Sequence, residues 1–188
     1  MVVVTRSVHI AAPVERVFAL MADPAARSRL SPHARPIRVE IEDGGPLRLG
    51  SVCHFRLELG GRIVDYRTRV REFEPNRLIV SVSDTAIPFE TRIETVPEEG
   101  GTRLTQTERF EPDDETLRAQ LPDDLDGKLL RLAYAVALLL DAEWARRLRR
   151  QQEEMIEAAL GARLERWLAA IKEALECPSS APAAAGPG

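Results

Sequence analysis

The residues whose types and spacing could do chemistry fall in alternating runs that read as strands. In Thr102 to Glu111, the residues Leu104, Gln106, Glu108 and Phe110 share one side, which sets the Glu108 carboxyl among apolar neighbours. Desolvation disfavours the charged form of such a group, raises its pKa and suits it to general acid or base work. The competing reading puts Glu108 near a sheet end, wet or paired with an arginine, because an unpaired buried charge is costly. In Arg62 to Phe73 the same alternation groups Val64, Tyr66, Thr68 and Val70. Tyr66 either hydrogen-bonds a ligand carbonyl or is a core tyrosine with its hydroxyl at the rim. Of the three histidines, His9 and His54 fall on the outer face, and His33 follows the turn Ser31-Pro32. His33 is the one candidate for proton transfer, against a solvated loop histidine.

No other constellation emerges. The histidines lack metal-ligand spacing, so no metal and no cofactor are expected, and no Ser/His/Asp or Cys/His arrangement shows. The Gly60-Gly61 and Gly100-Gly101 pairs read as hairpin turns, without the strand-to-helix context of a phosphate loop. Two cysteines, Cys53 and Cys177, are too few for a disulfide framework and read as free thiols of a reducing cytoplasm. The opening MVVVTRSVHI lacks the pattern of a secretory leader. A net charge of −4 argues against nucleic acid as a partner. The apolar stretch around Leu132 to Leu140 falls short of the ~20 residues of a spanning helix. The run Arg146 to Arg150 allows at most peripheral membrane contact, and i,i+4 pairs such as Arg149 to Glu153 and Arg150 to Glu154 explain it as a solvated helix face.

The elements that must position these residues begin with a strand over residues 2 to 10, where Val2, Val4, Val8 and Ile10 face one way and Arg6 interrupts them. Pro13 starts a short helix with Val14, Val17, Phe18 and Met21 on one side, and a second short helix spans Ala25 to Leu30. Six strands follow: Ile37 to Glu42, Ser51 to Leu59, Arg62 to Phe73, Arg77 to Ser83, Ile87 to Val96 and Thr102 to Glu111. Gly44-Gly45, Gly60-Gly61, Pro75-Asn76 and Gly100-Gly101 separate them as hairpin connections. After Pro112 the chain turns helical. Leu129 to Leu140 is apolar nearly all round, whereas Ile156, Leu160, Leu164, Trp167, Leu168, Ile171 and Leu175 form one stripe, with a bend expected near Leu140-Asp141 or at Gly161. The stripe either covers the sheet or makes a homodimer contact.

This order resembles the START-like superfamily of polyketide cyclases and lipid-transport proteins. The resembling pieces are VHIAAPVERVFALMADPAARSRLSP, LGSVCHFRLELGG, VREFEPNRLIV and GGTRLTQTERFEP, over roughly residues 3 to 150. The resemblance implies an α+β helix-grip fold: a seven-stranded curved antiparallel sheet around a long C-terminal helix, with two short helices after the first strand. It also implies a deep cavity for a lipid, quinone or polyketide-like molecule, with His33 near its mouth. One domain is expected over residues 1–176, with 151–176 a helical addition and 177–188 a disordered tail. The expected ligand-binding residues are Cys53, Phe55, Leu57, Tyr66, Thr68, Phe89, Thr91, Gln106 and Glu108 from the sheet, and Leu132, Val136 and Leu140 from the helical region. Three functions compete: a carrier of a small apolar ligand, a cyclase, dehydratase or hydrolase without metal using Glu108 with Tyr66 or His33, and an interaction module working through the C-terminal helix.

Overall fold

In the computed structural model, residues 1–59, 61–83, 89–110 and 142–177 are described. Strand β1 (Val2–Ile10) precedes helices α1 (Val14–Met21) and α2 (Pro24–Arg29). Then come β2 (Ala34–Ile41), β3 (Val52–Leu59), β4 (Arg62–Glu74), β5 (Leu78–Ser83), β6 (Phe89–Glu98), β7 (Gly101–Phe110) and the helix α3 (Ala142–Glu176). Every pairing is antiparallel, in the order β1-β7-β6-β5-β4-β3-β2. Six strands thus run as a meander and β1 returns to its far edge. The sheet is curled around α3, the helix-grip arrangement expected from the sequence.

Local chemistry explains the entry into this sheet. Pro13 precedes α1 in extended conformation, and the Asp23 side chain caps α2 by accepting a hydrogen bond from Ala26 N at 2.8 Å, with Pro24 in the first turn. Gly101 opens β7 so close to β1 that a Cβ there would stand 2.1 Å from the Ile10 carbonyl oxygen. Strand facing follows the pattern of a sheet with one wet side. Cys53, Phe55, Leu57, Thr68, Val70, Ile93, Leu104 and Gln106 are buried, and the outer face carries polar cross-strand pairs. Thr5 meets Thr107 at 2.9 Å, Ser7 meets Thr105 at 2.8 Å, Arg35 meets Glu58 at 2.7 Å, and His54 bonds Asp65 at 2.6 Å.

Two expectations are corrected. β2 starts at Ala34 and not at Ile37, because its register shifts between Pro36 and Arg38 and leaves Ile37 48% exposed. β4 has a second shift between Val70 and Glu72, so Phe73 turns inward and packs edge-on to Phe18 at 5.6 Å. Gly44-Gly45 lies in the hairpin connection between β2 and β3, as expected, and that connection tucks Leu47 into the core.

The C-terminal stripe is also placed. Leu164, Leu168, Ile171 and Leu175 are buried in the main core, with Ile156, Leu160 and Trp167 partly so, and α3 packs on β1. Burying each such aliphatic side chain contributes about 1.5–3 kcal/mol. The stripe between residues 156 and 175 therefore packs on the core of its own chain, the first of the two alternatives the periodicity left open. The helix passes through Gly161 unbroken. Gly161 leaves room for Arg6, the residue that interrupts the inner face of β1: a Cβ at 161 would stand 2.2 Å from Arg6 Nη2, the far end of a flexible side chain. Arg6 Nε pairs with Glu165 Oε1 at 2.5 Å, Lys172 Nζ donates to His9 O at 2.6 Å, and Ala11 N donates to Glu176 Oε1 at 2.7 Å. The Ala11 amide, followed by Lys172, holds the Glu176 carboxyl below its usual pKa. Leu129 to Leu140, Ile87 and the tail 178–188 lie outside the described residues.

Candidate functional site

A cavity of about 630 Å³ lies against the inner face of the sheet, with α2 and α3 contributing to its wall. This is within the roughly 300–1,000 Å³ of small-molecule sites. Strand alternation delivers its apolar side: Phe55, Leu57 and Leu59 from β3, Val64 and Tyr66 from β4, and Phe89 from β6. Phe55 and Tyr66 are directly opposite across β3 and β4, and their rings stack at 5.0 Å. Tyr66 meets Phe89 edge-on at 5.5 Å. Leu160 and Trp167 close the wall from α3.

A polar row crosses this surface. Ser81, Thr91 and Glu108 are successive partners on β5, β6 and β7, and all three line the cavity with Thr68 and Gln106. Burial raises the pKa of Glu108, against the opposing effects of the hydrogen bond from Gln106 Nε2 at 3.0 Å and of Arg163. Burial likewise pushes the Tyr66 phenol up to about 12, opposed by Arg27 and reinforced by Glu108. Tyr66 therefore lies within electrostatic reach of both. Two polar atoms at this wall have no partner among the described residues: Gln106 Oε1, an acceptor, and Trp167 Nε1, a donor.

The expected sheet residues Phe55, Leu57, Tyr66, Thr68, Phe89, Thr91, Gln106 and Glu108 all line this one cavity. Cys53 does not: it is 1% exposed, sealed in the core beside Arg27 and Thr68, and burial raises its thiol pKa. His33 is also absent from the lining. Its Nε2 accepts a hydrogen bond from Arg166 Nε at 3.0 Å, and desolvation together with Arg166 and Arg163 lowers its pKa. Leu132, Val136 and Leu140 lie outside the described residues.

Sequence reasoning missed Ser81, which the alternation Ile79, Ser81 in β5 places on the inner face, and it gave Trp167 only to the stripe. It also missed Arg27 on α2, which is 8% exposed and lines the cavity. Burial lowers the pKa of Arg27, against the favourable influence of Cys53, Tyr66 and Asp23. Among the described residues no three His, Cys, Asp or Glu side chains converge as a metal site, and none of the described helices is long and apolar enough to cross a membrane.

A sequence model of the family described as "Polyketide cyclase / dehydrase and lipid transport" matches residues 1–138. No curated protein matches the chain. Among solved structures, protein CV1439 from Chromobacterium violaceum is similar at 16% identity, over 95% of this chain and 100% of that one, with a TM-score of 0.63. A START superfamily protein from Mycobacterium smegmatis is 18% identical over 93% of this chain and 97% of that one, with a TM-score of 0.58. The Aha1 dimer from Colwellia psychrerythraea is 14% identical over 96% and 100%, with a TM-score of 0.58. At these identities the likeness is one of fold.

Proposed function

We propose that this chain, which belongs to the polyketide cyclase / dehydrase and lipid transport family, binds a small and largely apolar molecule in the cavity between its sheet and α3. The observation that carries this reading is the composition of the cavity wall. An aromatic and aliphatic surface around Phe55, Tyr66 and Phe89 is crossed by one polar row, and two buried polar atoms, on Gln106 and Trp167, lack partners among the described residues. Apolar surface supplies affinity, and a few polar groups orient the ligand. Native mass spectrometry of the purified chain, with organic extraction of whatever it carries, is the direct test. The expected result is a bound small molecule released by solvent, or uptake of added alkyl and polycyclic probes. A chain that carries nothing and takes up none of the probes overturns the reading.

A second reading, a cyclase or dehydratase using the same cavity, is favoured by one observation: Glu108 is a carboxyl held toward its protonated form in register with Thr91 and Ser81. A protonated carboxyl at a ligand carbonyl or hydroxyl is a general acid. Loss of turnover of a polyketide substrate in Glu108→Gln, with binding retained, is the result this reading expects. Unchanged turnover excludes it.

A further inference from the structure

We infer that Arg27 gives the cavity an anion-binding end, so that its ligand carries an oxyanion head, a carboxylate or a phosphate, on an apolar body. This deepens the cavity reading and rests on it. Arg27 projects from α2 into the wall and is 8% exposed. A guanidinium has five N–H donors and keeps its charge. Among the described residues one hydrogen bond serves it, from Nη1 to the Met21 carbonyl at 2.9 Å. Among the described residues no carboxylate forms an ion pair with it, and Asp23, whose charge favours the Arg27 cation, spends a side-chain oxygen on the Ala26 amide.

The other arginines at the cavity differ. Arg109 pairs with Glu90 at 3.5 Å, and Arg163 is exposed to water. Arg27 is the buried one, and a buried charge without a counter-charge is costly. Arg27 lines the cavity and has no ion-pair partner among the described residues, so the counter-charge left to it there is the ligand's. Tyr66 adds a second donor. Its phenol has no hydrogen-bond partner among the described residues, lies within electrostatic reach of Arg27 and stays protonated. A cation and an unspent hydroxyl that line one cavity are donors of the kind that bind carboxylate or phosphate oxygens through charge-assisted hydrogen bonds. The stacked Phe55 and Tyr66 rings supply apolar wall of the same cavity.

The test is calorimetric titration of the full chain with three probes of one chain length: dodecanoate, monododecyl phosphate and dodecanol. At least one anion is expected to bind about tenfold tighter than the alcohol, or more, and the tighter of the two identifies the head. Arg27→Met is expected to bring all three within about twofold while dodecanol binding persists, and Arg27→Lys to keep part of the preference. The wild-type comparison stands without either variant. Equal affinity for alcohol and anions, or a preference that survives Arg27→Met, overturns the anion-binding end and leaves the cavity reading in place. Failure of all three probes to bind overturns both.

Discussion

Gln106 gives its amide hydrogen to Glu108 across 3.0 Å, while its own oxygen, in a side chain 1% exposed, meets no partner among the described residues. The two residues sit one period apart on β7 and line the same cavity. Because burial raises the Glu108 pKa, the folded chain keeps that proton to higher pH than the unfolded chain, whose glutamates titrate near about 4.3. The associated stability is full below about pH 4.3 and is lost as pH rises through the folded-state pKa. Glu108→Gln, which has no charge to desolvate, is therefore expected to be more stable than the wild type at about pH 8, with the gap shrinking toward about pH 4. Urea unfolding at the two pH values measures this. A gap of equal size at both would exclude desolvation as the cause.

Two glycines are held by close approach and should respond differently. A Cβ at Gly161 meets the mobile end of Arg6, so Gly161→Ala trades a partly exposed ion pair, worth about 0–1 kcal/mol, for about 1 kcal/mol of helix propensity. Its stability is expected within about 1 kcal/mol of the wild type. A Cβ at Gly101 meets the Ile10 backbone, which has no rotamer to escape through, and Gly101→Ala is expected to cost at least about 2 kcal/mol. Equilibrium unfolding ranks the two, and the reverse order would contradict the packing described.

Ile171 is 0% exposed within the stripe on α3. Ile171→Ala is expected to cost about 2–5 kcal/mol, because the methylenes removed leave a cavity within one chain. That loss should be the same at every protein concentration, as thermal melts over a dilution series would show. A midpoint that moves with concentration would return the stripe to an interface between copies.

Thr91 stands in the middle of the polar row and lines open space. Thr91→Phe is expected to occupy part of that space, lowering affinity for an apolar probe by about tenfold or more while stability stays within about 1 kcal/mol. Probe titration and chemical denaturation of the same sample separate the two effects. Undiminished binding would place the ligand elsewhere.

The strands and their facing were legible because a sheet with one wet side writes its orientation every second residue. Phe55, Leu57, Tyr66, Thr68, Gln106 and Glu108 follow from that rule alone. It failed where the register shifts: Ile37 and Phe73 lie on or beside extra residues that no alternation signals. Arg27 was illegible for a different reason. The six residues PAARSR are too short to show a periodic face, and the direction of the arginine is set by where α2 packs on β2. The stripe on α3 declared an apolar face without declaring its partner, since periodicity says that a surface is covered but not by what. The partner is β1, at the other end of the chain.

The contacts between β1 and α3 advance together: Arg6 with Glu165, His9 with Lys172, Ala11 with Glu176. From the first tie to the last, the strand climbs five residues at about 3.3 Å and the helix eleven at about 1.5 Å, so both cover about 16 Å. Strand and helix thus act as two rulers with different graduations laid side by side. One residue inserted between Arg6 and Ala11 throws the later marks out of line, and two residues added to the helix come close to restoring the spacing but rotate its face. The segment tolerates a change of sequence far better than a change of length, although its two halves are separated by most of the chain.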